Sequence, residues 1–130
     1  MQTLALQIPD ALYERLRLTA QAVQQPLDAI VLRALEIGAP PGLEDIPAEF
    51  QADLAGLDRL EDDDLFSIAA MRQSSQEFGR YEMLLDRDVR TNAEQEELEG
   101  LRFEADLLML RKAHAAALLR WRGRTVPLAA

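Results

Sequence analysis

The opening stretch MQTLALQIPD, residues 1–10, decides how the N-terminal part of this 130-residue chain is interpreted. Leu4, Leu6 and Ile8 alternate with Thr3, Ala5 and Gln7, and this period of two predicts a β-strand with one buried face. Pro9-Asp10 then predicts the start of a helix, because proline fits a first helical turn and aspartate can cap free backbone amides.

A single short strand needs a partner, because it cannot satisfy its own backbone donors and acceptors. No other part of the sequence shows a clear strand pattern, so a second copy of the chain is the expected partner. The opening stretch therefore predicts a homodimer.

Two helices are predicted between Asp10 and Gly38. The first runs to about Val23, and Pro26 is placed as the first residue of the second. The second helix is apolar nearly all round and must be buried nearly all round, which 38 residues cannot achieve alone. This is a second, independent reason to expect a dimer. The candidate interface residues are Leu4, Leu6, Ile8, Leu27, Ile30, Val31 and Ala34.

The order of strand, helix and proline-started helix over residues 1–38 resembles the ribbon-helix-helix family, which includes Arc- and MetJ-type repressors and many bacterial antitoxins. The resemblance implies that two strands pair into an antiparallel ribbon that enters the major groove of operator DNA. It also implies a C-terminal part that binds a toxin or other effector protein, often a nuclease. The DNA-contacting positions implied in this way are Thr3, Ala5, Gln7 and Gln25.

The rest of the chain is predicted to be a linker at residues 39–46 and a helical extension at residues 47–130. The segment 38–42, GAPPG, marks the boundary, because glycine and proline end helices. Shorter helices are expected from Pro47 to about Leu60, from Asp62, and from Glu77 to Asp86. The last helix, from about Asn92 to Arg122, is the longest and would reach roughly 45 Å.

Charge is distributed unevenly along the chain, whose net charge is −9. Residues 39–66 carry nine acids and one arginine, whereas residues 101–130 carry six bases and two acids. The acidic segment suits a basic protein partner, or its acids simply face solvent. The basic tail complements the negative end of the last helix. The candidate partner-binding residues are Phe50, Leu54, Leu57, Phe103, Leu107, Leu110 and Trp121.

The sequence offers little for catalysis. There is no cysteine, and His114 is the only histidine and shares an apolar stripe of the last helix. No nucleophile motif or phosphate-binding loop is present. We therefore expect no enzyme activity, cofactor, metal site or small-molecule substrate. No apolar run approaches a membrane span and no secretory signal is evident, so a cytoplasmic protein is expected.

The sequence as a whole predicts a mainly α fold, with a dimeric ribbon-helix-helix head and a helical extension. The predicted function is that of an antitoxin or autorepressor, which binds operator DNA with its ribbon and a toxin-like protein with its C-terminal part. The alternative is a helical dimerisation or adaptor subunit that does not bind DNA. The absence of lysine and arginine from the predicted strand favours this alternative.

Overall fold

The computed structural model describes residues 1–127, and this part of the chain is helical. It contains six α-helices and one short 3-10 helix. The chain divides into two compact units, Met1–Ala39 and Pro40–Ala130.

The N-terminal unit consists of α1 (Asp10–Ala22) and α2 (Leu27–Gly38). Pro9 and Pro26 both occupy the N-cap position with extended ψ angles of 140° and 146°, so each precedes its helix by one residue. Both helices begin within a residue of the predicted positions, because proline fixes φ and has no amide that a first turn would leave unpaired.

The turn between α1 and α2 is a Schellman motif, in which two amides beyond the helix bond back to its last carbonyls. The amide of Gln24 donates to Gln21 O at 3.2 Å, and that of Gln25 donates to Ala20 O at 3.0 Å. Gln24 has a φ of 55°, the left-handed conformation that glycine usually supplies at this position.

The predicted N-terminal β-strand is wrong. Residues 1–9 form neither strand nor helix, and no strand occurs among residues 1–127. The fold class is therefore helical and lacks the ribbon of a ribbon-helix-helix protein. The physical reason is that alternation favours a strand only where a second strand completes its hydrogen bonds, and the described chain contains no such strand.

The C-terminal unit is built around one long helix. Its elements are α3 (Ala48–Ala55), the 3-10 helix Gly56–Arg59, α4 (Asp62–Ala69), α5 (Ser75–Asp86) and α6 (Asn92–Trp121). α3, the 3-10 helix, α4 and α5 all pack against α6, and α4 makes the most extensive contact. The 30 residues of α6 extend about 45 Å, which confirms the predicted long C-terminal helix.

A continuous apolar cluster joins α4 and the 3-10 helix to the C-terminal half of α6. Leu65 and Leu119 are fully buried in it, and Leu60 and Phe66 pack at its edge. The buried members of the cluster are Leu57, Leu65, Ile68, Ala115, Leu118 and Leu119.

Local capping explains where α5 and α6 begin. The Ser74 hydroxyl accepts a hydrogen bond from the Glu77 amide at 3.1 Å, so α5 starts two residues earlier than predicted. Thr91 and Glu94 form a reciprocal capping box with two bonds of 3.1 Å.

Hydrogen bonds also hold the segment before α3 in place. The Gln51 side-chain amide donates to Leu43 O and Ile46 O.

Candidate functional site: the unclosed surface of the N-terminal unit

The N-terminal unit leaves most of its apolar side chains in contact with solvent. Ala20 is its one buried residue, and α2 buries none. Every other buried apolar residue among residues 1–127 belongs to the C-terminal unit. The large apolar side chains that stay exposed beyond Met1 are Leu4, Leu6, Leu12, Tyr13, Leu18, Val23, Leu32, Leu35 and Ile37.

Part of this surface forms an open groove between α1 and α2, with a volume of about 780 Å³. Its polar groups come from Thr19, Gln25 and Arg33, and its remaining lining is apolar. The lining residues are Thr19, Val23, Gln25, Ala29, Ile30, Arg33, Ala34 and Ile37. We call this feature the α1/α2 groove.

The residues predicted from sequence to form the dimer interface lie in this unit, and none of their side chains is buried. Leu27, Ile30 and Val31 are half-buried, and Ala34 is exposed. Ile30 and Ala34 line the α1/α2 groove. Leu4 and Leu6 are mostly exposed, and Ile8 is half-buried. Their role in joining two copies stays a prediction.

The residues predicted from sequence to contact DNA do not form one surface that could contact DNA bases. Thr3, Ala5 and Gln7 are exposed in the irregular segment 1–9, and Gln25 borders the α1/α2 groove. Their assignment required a strand that points alternate side chains into the major groove. Without that strand the assignment has no structural basis.

Three of the predicted partner-binding residues are part of the protein interior. Phe50, Leu54 and Leu57 are 5%, 0% and 2% exposed. Phe50 packs on Phe103 of α6, with ring centroids 4.9 Å apart. Phe50, Leu54 and Leu57 are therefore core residues and not docking anchors, because their apolar face is already covered by α6 and its neighbours.

The other predicted partner-binding residues remain partly accessible on α6. Leu107 and Leu110 are half-buried, while Phe103 and Trp121 are 45% and 51% exposed.

Two arginines of the basic tail, Arg122 and Arg124, make contacts within their own unit. Arg122 donates to Leu60 O at 2.8 Å, to Asp62 Oδ1 at 3.1 Å and to Asp58 O at 3.1 Å. Arg124 Nε donates to Asp62 Oδ2 at 2.7 Å. Hydrogen bonds from Arg122 and then Arg124 hold the pKa of Asp62 below its ordinary value. These hydrogen bonds hold the C-terminal end of α6 against the N-terminal end of α4.

His114 is buried and hydrogen-bonded within the C-terminal unit. It is the one buried polar residue among residues 1–127, and its Nε2 lies 2.8 Å from Asp58 Oδ1. A carboxylate only accepts hydrogen bonds, so Nε2 carries the proton and donates. Sequence reasoning placed His114 on an apolar stripe but did not find its partner, because 56 residues separate the two side chains.

Neither a metal-binding group of side chains nor a membrane-spanning helix occurs among the described residues. Within residues 1–127, no three metal-binding side chains are grouped to hold an ion. None of the helices in that range has the length and apolar character needed to cross a membrane. Comparisons with protein-family models, with curated proteins and with solved structures found no match.

Proposed function

We propose that this protein is a self-associating helical adaptor, in which α1 and α2 of two copies close a shared core. The observation that carries the proposal is the contrast between the two units. The C-terminal unit buries a set of large apolar side chains, whereas the N-terminal unit buries only Ala20.

The small size of the N-terminal unit supports self-association. Chains below about 40 residues usually need a disulfide, a metal or oligomerisation to fold stably. The sequence has no cysteine, and the described residues group no metal ligands. Oligomerisation is then the route that covers the exposed apolar side chains of α1 and α2.

The charge of the unit suits a second copy of itself. Residues 1–38 carry three arginines and four acids, a nearly neutral balance. A two-fold interface brings the same surface together twice, so a strong charge of one sign would repel its own copy. Residues 39–66, with nine acids and one arginine, would not tolerate such a contact.

A dimer formed in this way carries two C-terminal units. Each of these has its own core, so pairing is not required to fold it. A target with two matching sites would then be bound with higher avidity than one unit provides. This is the adaptor alternative that the sequence raised.

The oligomeric state of the full chain tests the proposal. The chain has a mass of 14.6 kDa, and we expect light scattering after gel filtration to give twice this value. Leu35→Glu combined with Ile37→Glu replaces two exposed apolar side chains on different sides of α2 with charges and should give a monomer. Gln21→Glu, at an exposed polar site of α1, is the matched control and should remain dimeric.

A wild-type chain that elutes as a monomer at micromolar concentration would contradict the proposal. So would a dimer that survives the double α2 substitution unchanged.

A further inference from the structure

We infer that residues 1–9, here called the N-terminal arm, seat in the α1/α2 groove of a second copy of the chain. This inference rests on the proposed self-association and specifies what fills the groove. The arm is exposed, the groove is open, and both present mainly apolar side chains.

The arm presents apolar side chains at every second position and no charged side chain before Asp10. Leu4 and Leu6 are 81% and 67% exposed, although burial of a leucine side chain is favourable. Seating the arm in the groove would remove these side chains from water, and the arm brings no charged side chain of its own into the groove.

The dimensions of the two features agree. Leu4 to Ile8 in an extended conformation span about 13 Å. The groove is lined along α2 from Ala29 to Ile37, a rise of about 12 Å. The alanines at positions 29 and 34 leave room for larger side chains above them.

The groove also supplies partners for the backbone of the arm. Buried amides and carbonyls need hydrogen bonds, and an irregular arm brings its own unpaired ones. Gln25 offers both a donor and an acceptor, and Arg33 offers donors only. Thr19 donates its hydroxyl proton to Arg15 O at 2.9 Å, which leaves its oxygen as an acceptor.

The geometry of the unit favours the arm of the second copy over its own. In the single chain the groove is open and the arm is exposed. The arm joins α1 at Asp10, whereas the groove is lined by Thr19 and Val23, about 14 and 20 Å further along that helix. The rigid Pro9 precedes α1, so the same arm would have to reverse direction there to run back to the groove.

Disulfide cross-linking between two variants tests this placement, because the native chain has no cysteine. One tagged chain carries Leu6→Cys, and a second chain with a different tag carries Ala29→Cys, Ala34→Cys or Ile37→Cys. These three positions sample successive turns of α2, so the register of the arm need not be known. We expect a covalent mixed dimer in at least one mixture after oxidation, and a lower yield when Gln7→Cys replaces Leu6→Cys.

Two outcomes of this experiment would overturn the inference. Cross-linking of Leu6→Cys chains only to one another would place the arms side by side. Failure of all three mixtures to cross-link, in samples that light scattering shows to be dimers, would place the arm outside the groove.

Substitutions in the arm provide a second test that does not depend on disulfide geometry. Leu4→Asp with Leu6→Asp should raise the dimer dissociation constant by about a hundredfold or more, since two leucines lose their buried site. Thr3→Asp with Gln7→Asp adds the same charges at the alternate positions and should change it much less. Circular dichroism checks that α1 and α2 are retained in both variants.

The two proposals fail in different ways. A monomeric wild-type protein would remove the self-association and the arm placement together. A wild-type dimer that is equally stable in both arm variants would remove only the arm placement.

Discussion

Nε2 of His114 lies 2.8 Å from Oδ1 of Asp58, and this bond joins α6 to the 3-10 helix. The imidazole is buried, while the Asp58 side chain is about half exposed. The hydrogen bond therefore satisfies His114, the one buried polar side chain among residues 1–127. It also holds α6 against the 3-10 helix, although the two elements are distant in sequence.

Asp58→Ala should destabilise the C-terminal unit by about 1–3 kcal/mol, because it leaves a buried N–H without an acceptor. The free energy of unfolding from urea titration measures the effect. Glu104→Ala removes an exposed acid from α6 and should change the free energy by less than about 0.5 kcal/mol. Equal effects of the two substitutions would show that the His114 bond does not matter for stability.

Acid should weaken the attachment of α6 to α4. The bonds from Arg122 and Arg124 lower the pKa of Asp62 from its ordinary value of 3.8 in the folded state. A lowered folded pKa contributes stability above about pH 4, and this is lost as the pH falls through the folded pKa. The free energy of unfolding, measured at a series of pH values from about 5 to about 2, should fall less steeply for Asp62→Asn than for the wild type.

Asp63→Asn is the matched control for this pH dependence. Asp63 lies beside Asp62 in the first turn of α4, and the described residues provide no ion pair for it. The control should keep the wild-type slope. If Asp62→Asn also keeps that slope, its ion pairs do not contribute to acid sensitivity.

Gln24→Gly should stabilise the turn between α1 and α2. Gln24 has a φ of 55°, a conformation that disfavours an L side chain by about 1–2 kcal/mol but not glycine. Part of this gain is offset by the greater backbone entropy of glycine in the unfolded chain. Thermal unfolding should show a higher Tm for Gln24→Gly and no increase for Gln25→Gly, whose φ is negative.

Gly123→Ala should have the opposite effect at the end of α6. Gly123 has a φ of 85°, and its amide and that of Arg124 bond back to Arg120 O and Leu119 O. Nothing lies within 4 Å of an added Cβ, so the backbone conformation is the source of the expected loss of about 1–2 kcal/mol. An unchanged urea midpoint would contradict this explanation.

Leu54→Ala should destabilise the C-terminal unit by about 2–5 kcal/mol, because Leu54 is fully buried and leaves a cavity. The exposed Met109 is the control, and Met109→Ala should change the unfolding free energy by under about 0.5 kcal/mol. A neutral Leu54→Ala variant would restore Leu54 as a candidate surface anchor.

The starts of α1, α2 and α6 could be predicted from sequence because their signals are local. Pro9, Pro26 and Thr91 act within one turn of the helices that they start. The clearest error in a helix start came at α5, where the capping hydroxyl of Ser74 starts the helix inside a predicted turn. A cap is recognised by its hydrogen bond, and serine occurs in turns as well.

The strand and the partner anchors could not be predicted in the same way. Alternation at residues 3–8 describes side chains, whereas a strand also needs a neighbouring backbone. The stripe of Phe50, Leu54 and Leu57 shows that one face of α3 is buried, but it does not identify what covers it. That face is covered within the unit, where Phe103 lies 53 residues beyond Phe50.

The amino-acid sequence alone determined the starts of α1, α2 and α6 and how the charge is distributed, because these depend on neighbours within a few residues. Tertiary structure decided which apolar faces are closed, since α6 covers those of α3 and α4 while α2 retains an open one. It also decided the pairing of Asp58 with His114 and of Asp62 with Arg122. Such contacts join residues far apart in the chain, and only the packing of whole helices brings them together.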